Sequence, residues 1–171
     1  MDFRGASTIL KKYGEQITNA IKSKLRSDNT YASGDSYNSV RYNVNENELE
    51  IYYSGIVDVI DKGLAPNKIP PPIENIVKWM NDKGIQPRNL KTGRFVKKTR
   101  AYQRRTAFAL RSAIVKRGTI KDFGYKGSDV LDFAFNDAIL DNLFEDVSSE
   151  IYDEIDNKIT RTFTAYGFTN K

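Results

Sequence analysis

The side chains available for chemistry in this chain are carboxylates, lysines and arginines, because its 171 residues include no histidine and no cysteine. That composition removes Ser–His–Asp and Cys–His nucleophiles, histidine general bases, disulfides, zinc–cysteine and iron–sulfur sites, and most transition-metal chemistry. Paired-carboxylate chemistry, a lysine nucleophile, and Mg²⁺ or Ca²⁺ on oxygen ligands are what remain. Asp58 and Asp61 can share a helix face, as can Asp137 with Asp141 and Asp146 with Glu150, whereas the neighbours Glu145-Asp146 and Asp153-Glu154 diverge. Such pairs are ordinary on the polar side of an acidic amphipathic helix, as Lys97-Lys98 and Arg104-Arg105 are on a basic one. Thr92-Gly93-Arg94 lacks P-loop spacing, and Ser27–Ser36 lacks EF-hand spacing. The expectation is a chain that is not an enzyme, with no catalytic residue, no metal site and no cofactor.

Charge is segregated along the chain. Between Lys83 and Lys121 lie 13 basic residues and no acidic one, and between Asp129 and Asp156 lie 10 acidic residues and no basic one. The overall charge of +5 therefore conceals a strongly basic segment and a net-acidic remainder. Four readings are open: a basic segment that tracks phosphates, attraction between the two segments within a subunit, attraction between subunits, or two solvated helix faces.

The elements that must carry these charges are legible from periodicity. Leu10, Tyr13, Ile17, Ile21 and Leu25 recur at three and four, which predicts a helix over about 6–26 with one core face. Val40, Tyr42 and Val44, then Leu49, Ile51 and Tyr53, alternate around Asn45-Glu46-Asn47 and predict a β-hairpin. Tyr52 and Tyr53 must then point to opposite faces. Gly55–Gly63 reads as a short helix ending at Gly63, and Pro70-Pro71-Pro72 leads extended into a helix from Ile73 that Gly84 stops. Trp79 lies beside its stripe as a core or interface anchor. A polar, basic loop at 85–98 precedes a helix over about 99–117, whose Ala107, Leu110, Ala113 and Ile114 face the core and which Gly118 ends. A loop or short strand follows at 119–127. Ser128 is placed as an N-cap, and from Phe135 to Phe163 apolar residues recur every four positions. Four-residue steps drift around a helix of 3.6 residues per turn, so this stripe must wrap or the helix must bend near Ser148-Ser149. The fold class expected is α+β: a small antiparallel sheet packed with an N-terminal helix, a basic middle helix and a long C-terminal helix. One domain is expected over 1–171, with its core at about 6–163 and a short tail at 164–171. No apolar run is long enough to span a membrane, the opening MDFRGASTILKKYGE lacks an apolar signal core, and absence of cysteine fits a reducing compartment.

The order of four stretches resembles the tail-completion or head–tail joining proteins of tailed bacteriophages, a group that includes neck, minor tail and virion morphogenesis proteins. The stretches are an N-terminal helix leading to ASGDSYNSVRYNV; the strand and corner LEIYYSGIVDVIDKG; PPPIENIVKWMNDKGI followed by GRF; and AFALRSAIVKRGTIKDFGYKGSDVLDFAF. The likeness spans about 6–163. The family's early glycine–hydrophobic–serine turn is altered to Gly34-Asp35-Ser36-Tyr37, and Lys62-Gly63 stands where Gly-Thr often follows the acidic corner residue. The resemblance implies a structural virion protein, assembled in the host cytoplasm. It would form a ring, hexameric or dodecameric, that joins the portal-bearing head to the tail. Copies of itself, portal, neck or tail proteins, and packaged DNA are the implied partners, with no membrane. Opposite charge blocks in one chain can supply both sides of a ring contact. The residues singled out for assembly or DNA contact are Arg94, Lys97, Lys98, Arg104 and Arg105 on the basic side. Asp141, Glu145, Asp146, Glu150 and Asp153 are those on the acidic side. A basic nucleic-acid-binding domain is the alternative.

Overall fold

The computed structural model describes residues 4–28, 30, 34–45, 47–119 and 127–165. Its elements are α1 (Arg4–Ser27), α2 (Asp35–Ser39), β1 (Arg41–Asn45), β2 (Glu48–Tyr52), α3 (Gly55–Lys62), α4 (Ile73–Asp82), α5 (Arg100–Arg117), α6 (Val130–Ala134) and α7 (Asp137–Ala165). The architecture is α+β, as the periodicities predict, with one two-stranded antiparallel sheet. Among the described residues, no helix is long and apolar enough to cross a membrane. The chain divides into two compact units, Met1–Ser23 with Val40–Tyr53 and Leu131–Lys171, and Lys24–Ser39 with Ser54–Val130.

In the first unit the apolar stripe of α1 is buried: Leu10, Tyr13 and Ile17 are all less than a tenth exposed, and Ile21 is fully covered. The hairpin follows from alternation. Tyr42 pairs with Ile51 and Val44 with Leu49 on one face, and Arg41 with Tyr52 and Asn43 with Glu50 on the other. The second face is polar and closed upon itself. Asn43 Nδ2, Asn45 Nδ2 and the Tyr52 hydroxyl all donate to Glu50 Oε2, the last at 2.7 Å, and the Arg41 guanidinium stacks 5.2 Å from the Tyr52 ring centre. That hydrogen bond holds the Tyr52 phenol above its ordinary pKa. The apolar face lies against α1 at Gly14, where an added Cβ would stand 2.5 Å from Tyr42 Cδ2 and 2.8 Å from Leu49 Cδ1. The helix thus has a glycine where Tyr42 and Leu49 leave no room for a side chain. The hairpin tip at Glu46 lies outside the described residues.

In the second unit α4 and α5 form a core of Ile76, Met80 and Ala107, with Ile73, Val77, Ile85, Leu110 and Ile114 packed around it. Pro72 takes the N-cap position of α4, as the triple proline implies. At the other end Gly84 N donates to Asn81 O (3.1 Å) and Ile85 N to Met80 O (2.8 Å). This is the Schellman pairing, and its left-handed residue is Gly84 at φ 65°. The same motif brings Ile85 back onto Met80. Thr99 caps α5 by accepting from Tyr102 N, and Gly118 ends it at φ 73°, a conformation that L side chains rarely adopt. The Leu64 carbonyl occupies the space a Cβ on Gly118 would need, and Leu64 N donates to Thr119 Oγ1.

Trp79, read as a core or interface anchor, is 43% exposed beside the buried stripe of Ile76 and Met80 and is not part of the core. Two expectations from the sequence are corrected. Ser128 does not cap a helix: its hydroxyl donates to Ile60 O, and its N–H is taken by Ile60 O and Asp61 O. The long C-terminal helix starts only at Asp137, because Asn136 caps it, Oδ1 accepting from Ile139 N at 3.1 Å while Nδ2 donates to Phe133 O. The expected loop or strand at 119–127, with Phe123 and Tyr125, falls largely outside the described residues.

Gly14→Val is expected to destabilise the fold by about 1–3 kcal/mol in urea unfolding, the range for overpacking a close contact. Gly55→Ala, where nothing lies within 4 Å of the new Cβ, is expected to be near neutral in the same measurement.

Candidate functional site

The basic candidates sit on a loop that is more ordered than its composition suggests. Asn89 Oδ1 accepts from Lys91 N (2.9 Å) and Thr92 N (3.3 Å), which makes an Asx turn. Gly93 N donates to Asn89 O, Asn89 N to Arg94 O, and Val96 N to Pro87 O. Arg88 and Phe95 form an antiparallel bridge, and the Arg88 guanidinium lies 4.3 Å from the Phe95 ring centre. The KTGRF segment is therefore a tight reversal that presents its cations. Arg94, Lys97 and Lys98 are exposed on it, and Arg104 and Arg105 are exposed on α5 just beyond. Arg104 lies 3.6 Å from Glu74, both exposed, a pair worth little in water.

The same unit holds an open groove of about 450 Å³. One wall is a single face of α5, where Thr106, Ala109, Leu110, Ala113 and Arg117 recur at three and four. The other wall is Ile85, Gln86, Arg88 and Leu90. The floor is apolar and every charged lining residue is an arginine. Thr106 Oγ1 is buried in this unit without a hydrogen-bond partner among the described groups.

The acidic candidates divide between two sides of α7. Each residue of an α-helix advances about 100°, so each four-residue step moves the apolar stripe on by about 40°. Ile139, Leu143, Val147 and Ile151 are partly buried, but Ile155 is 41% and Ile159 48% exposed: the stripe has rotated into solvent. Asp146 and Glu150 lie on the side that meets α1. Lys12 Nζ and the Tyr13 hydroxyl each donate to Asp146 Oδ2 at 2.9 Å, and the Glu150 side chain fills the space beside Gly5. Asp141 and Glu145 are exposed on other sides of the helix, while Asp153, about 20° from Asp146 around the axis, is exposed two turns further on. The sequence grouped all five; the structure uses Asp146 within the chain and leaves Asp141, Glu145 and Asp153 facing solvent.

The Asp146 cluster has coupled proton affinities. The hydrogen bond to Asp146 holds the Lys12 ammonium above its ordinary pKa. Tyr13 is raised first by burial and then by that carboxylate. Asp146 is held below the ordinary carboxylate range by the Lys12 and Tyr13 hydrogen bonds.

The pair Asp58 and Asp61 is split by burial. Asp58 is exposed while Asp61 is 2% exposed. Among the described residues no group of three or more Asp or Glu is placed to hold a metal ion. No family model, curated protein or solved structure matches this chain.

Asp146→Asn is expected to lower the thermal midpoint at pH 7. A depressed carboxylate pKa contributes stability that is present above the unfolded value of about 3.9 and lost as pH falls through the folded one. The difference between variant and parent is therefore expected to shrink below about pH 4, which melting curves at pH 7 and pH 3 would measure.

Proposed function

We propose that this chain is a ring-forming structural protein of the tailed-phage neck, a tail-completion component that joins the portal-bearing head to the tail and acts in the virion without catalysis. The order of its sequence stretches carries the family reading. The physical support is one observation: a basic surface, on the 85–98 loop and α5, and an acidic surface with exposed apolar side chains, on α7, occur in the same chain. A protein that displays two complementary and unlike surfaces is suited to heterologous contacts, which close into rings when the rotation allows. Charges left on the surface cost little in desolvation until a partner arrives, and they steer encounter.

A second reading is favoured by the exposure of Arg94, Lys97, Lys98, Arg104 and Arg105 together. In it, this strip contacts the phosphates of duplex DNA. The two readings differ in salt response and stoichiometry.

Native mass spectrometry at low and moderate salt is expected to show a discrete closed oligomer, hexameric or dodecameric. The double variant Arg104→Glu/Arg105→Glu is expected to stay folded by circular dichroism and to fail to join particles. Normal incorporation of that variant would defeat the assembly role of these arginines. A duplex-DNA affinity that falls with a log–log salt slope of several units, with no oligomer, would favour the second reading.

A further inference from the structure

Two features remain without an occupant in their own units: the α5 groove and the outer face of α7. On α7, Phe144, Ser148, Ile151, Tyr152, Ile155 and Ile159 fall within an arc of about 100°. Phe144 is 68% and Tyr152 75% exposed, and Ser148, Ile151, Tyr152 and Ile155 line a shallow concavity. Solvated apolar side chains at this density on one helix face mark a contact surface.

The chemistry of the occupant is set by charge. The groove lies in the segment from Lys83 to Lys121, which has no acidic residue, and its rim carries Arg88 and Arg117. The α7 face lies in the segment from Asp129 to Asp156, which has no basic residue, and exposed Asp141, Glu145 and Asp156 lie within or beside its arc. An acidic, amphipathic helix is what the groove lacks, and a basic, apolar groove is what the helix lacks. Length agrees: Thr106–Arg117 spans about 16 Å of helix axis and Phe144–Ile159 about 22 Å, so a helix laid along the groove covers it end to end.

We propose that the outer face of α7, centred on Tyr152 and Ile155, docks in the groove between α5 and the 85–90 segment of a second copy of this chain. The proposal rests on the self-association in the neck reading and names the two surfaces that meet. Apolar contact supplies the affinity, and the acidic flank against the arginine rim supplies orientation. Knob and groove are different surfaces, so the contact is heterologous and each copy is left with one free knob and one free groove until a ring closes.

The absence of cysteine makes the test clean. Ala109→Cys, in the groove, and Ile155→Cys, on α7, are made in separate full-length chains that differ in mass by a tag. They are mixed and oxidised, with Ile69→Cys, at a 91% exposed position, as the control partner. The expected result is that the mixed Ala109→Cys/Ile155→Cys disulfide exceeds both same-variant products and the control pair, and that adding Tyr152→Asp to the α7 chain abolishes it. In sedimentation, Tyr152→Asp is expected to weaken self-association at least tenfold with its thermal melt unchanged, because the side chain is exposed. A closed oligomer that forms without the mixed disulfide, and that Tyr152→Asp leaves intact, overturns this docking while the neck reading stands. A chain that stays monomeric at high micromolar concentration with no mixed disulfide also overturns the docking, and particle incorporation of the Arg104→Glu/Arg105→Glu variant then decides the neck reading separately. Capture of the α7 chain by an acidic or basic protein other than itself, with no mixed disulfide, assigns the face to another partner and likewise overturns it.

Discussion

A four-residue apolar repeat cannot stay on one face of a helix that turns every 3.6 residues, and the surface of this protein is shaped by that mismatch. On α7 the stripe starts partly buried at Ile139 and Leu143, with Asp146 and Glu150 turned toward α1. By Ile155 and Ile159 it has rotated into solvent. The helix cannot bury both ends of such a stripe against one straight neighbour. One half is therefore committed inside the unit, and the other half is left as an apolar face with an acidic margin.

The polar contacts that hold the first half are few and specific. Asp146 accepts from Lys12 and Tyr13 with the same oxygen, and Glu150 reaches the helix at Gly5, where a side chain would stand in its way. Gly14 has a comparable role one face over, where Tyr42 and Leu49 of the hairpin approach the backbone of α1. Small residues on α1 thus set how near two different elements come. The buried stripe from Leu10 through Ile21 supplies the apolar area that makes such approach favourable.

In the other unit, backbone termination does the positioning. Gly84 turns the chain back so that Ile85 rests on Met80, and this sends the 85–98 segment past α5. Asn89 and the Arg88–Phe95 bridge then close the segment into a reversal. An apolar groove with a cationic rim is the result. No acidic residue lies between Lys83 and Lys121 to neutralise this rim locally, so the segment keeps a positive long-range field.

Much of this was determined by the sequence alone. The buried stripe of α1, the hairpin and its two faces, the glycine ends of α3, α4 and α5, and the drift of the α7 stripe all follow from spacing, because local periodicity and φ preference act within a few residues. The two charge blocks are also plain in the sequence. Tertiary structure alone decided which members of those blocks are spent. Asp146 looks equivalent to Asp141 in sequence, yet only Asp146 faces Lys12 and Tyr13, 134 and 133 residues away. It also decided that Ser128 binds the carbonyl of Ile60 rather than capping a helix, that Trp79 stays half in water, and that α5 and the 85–90 segment enclose a groove. These are contacts between residues far apart in the chain, and no local pattern encodes which partner a side chain meets.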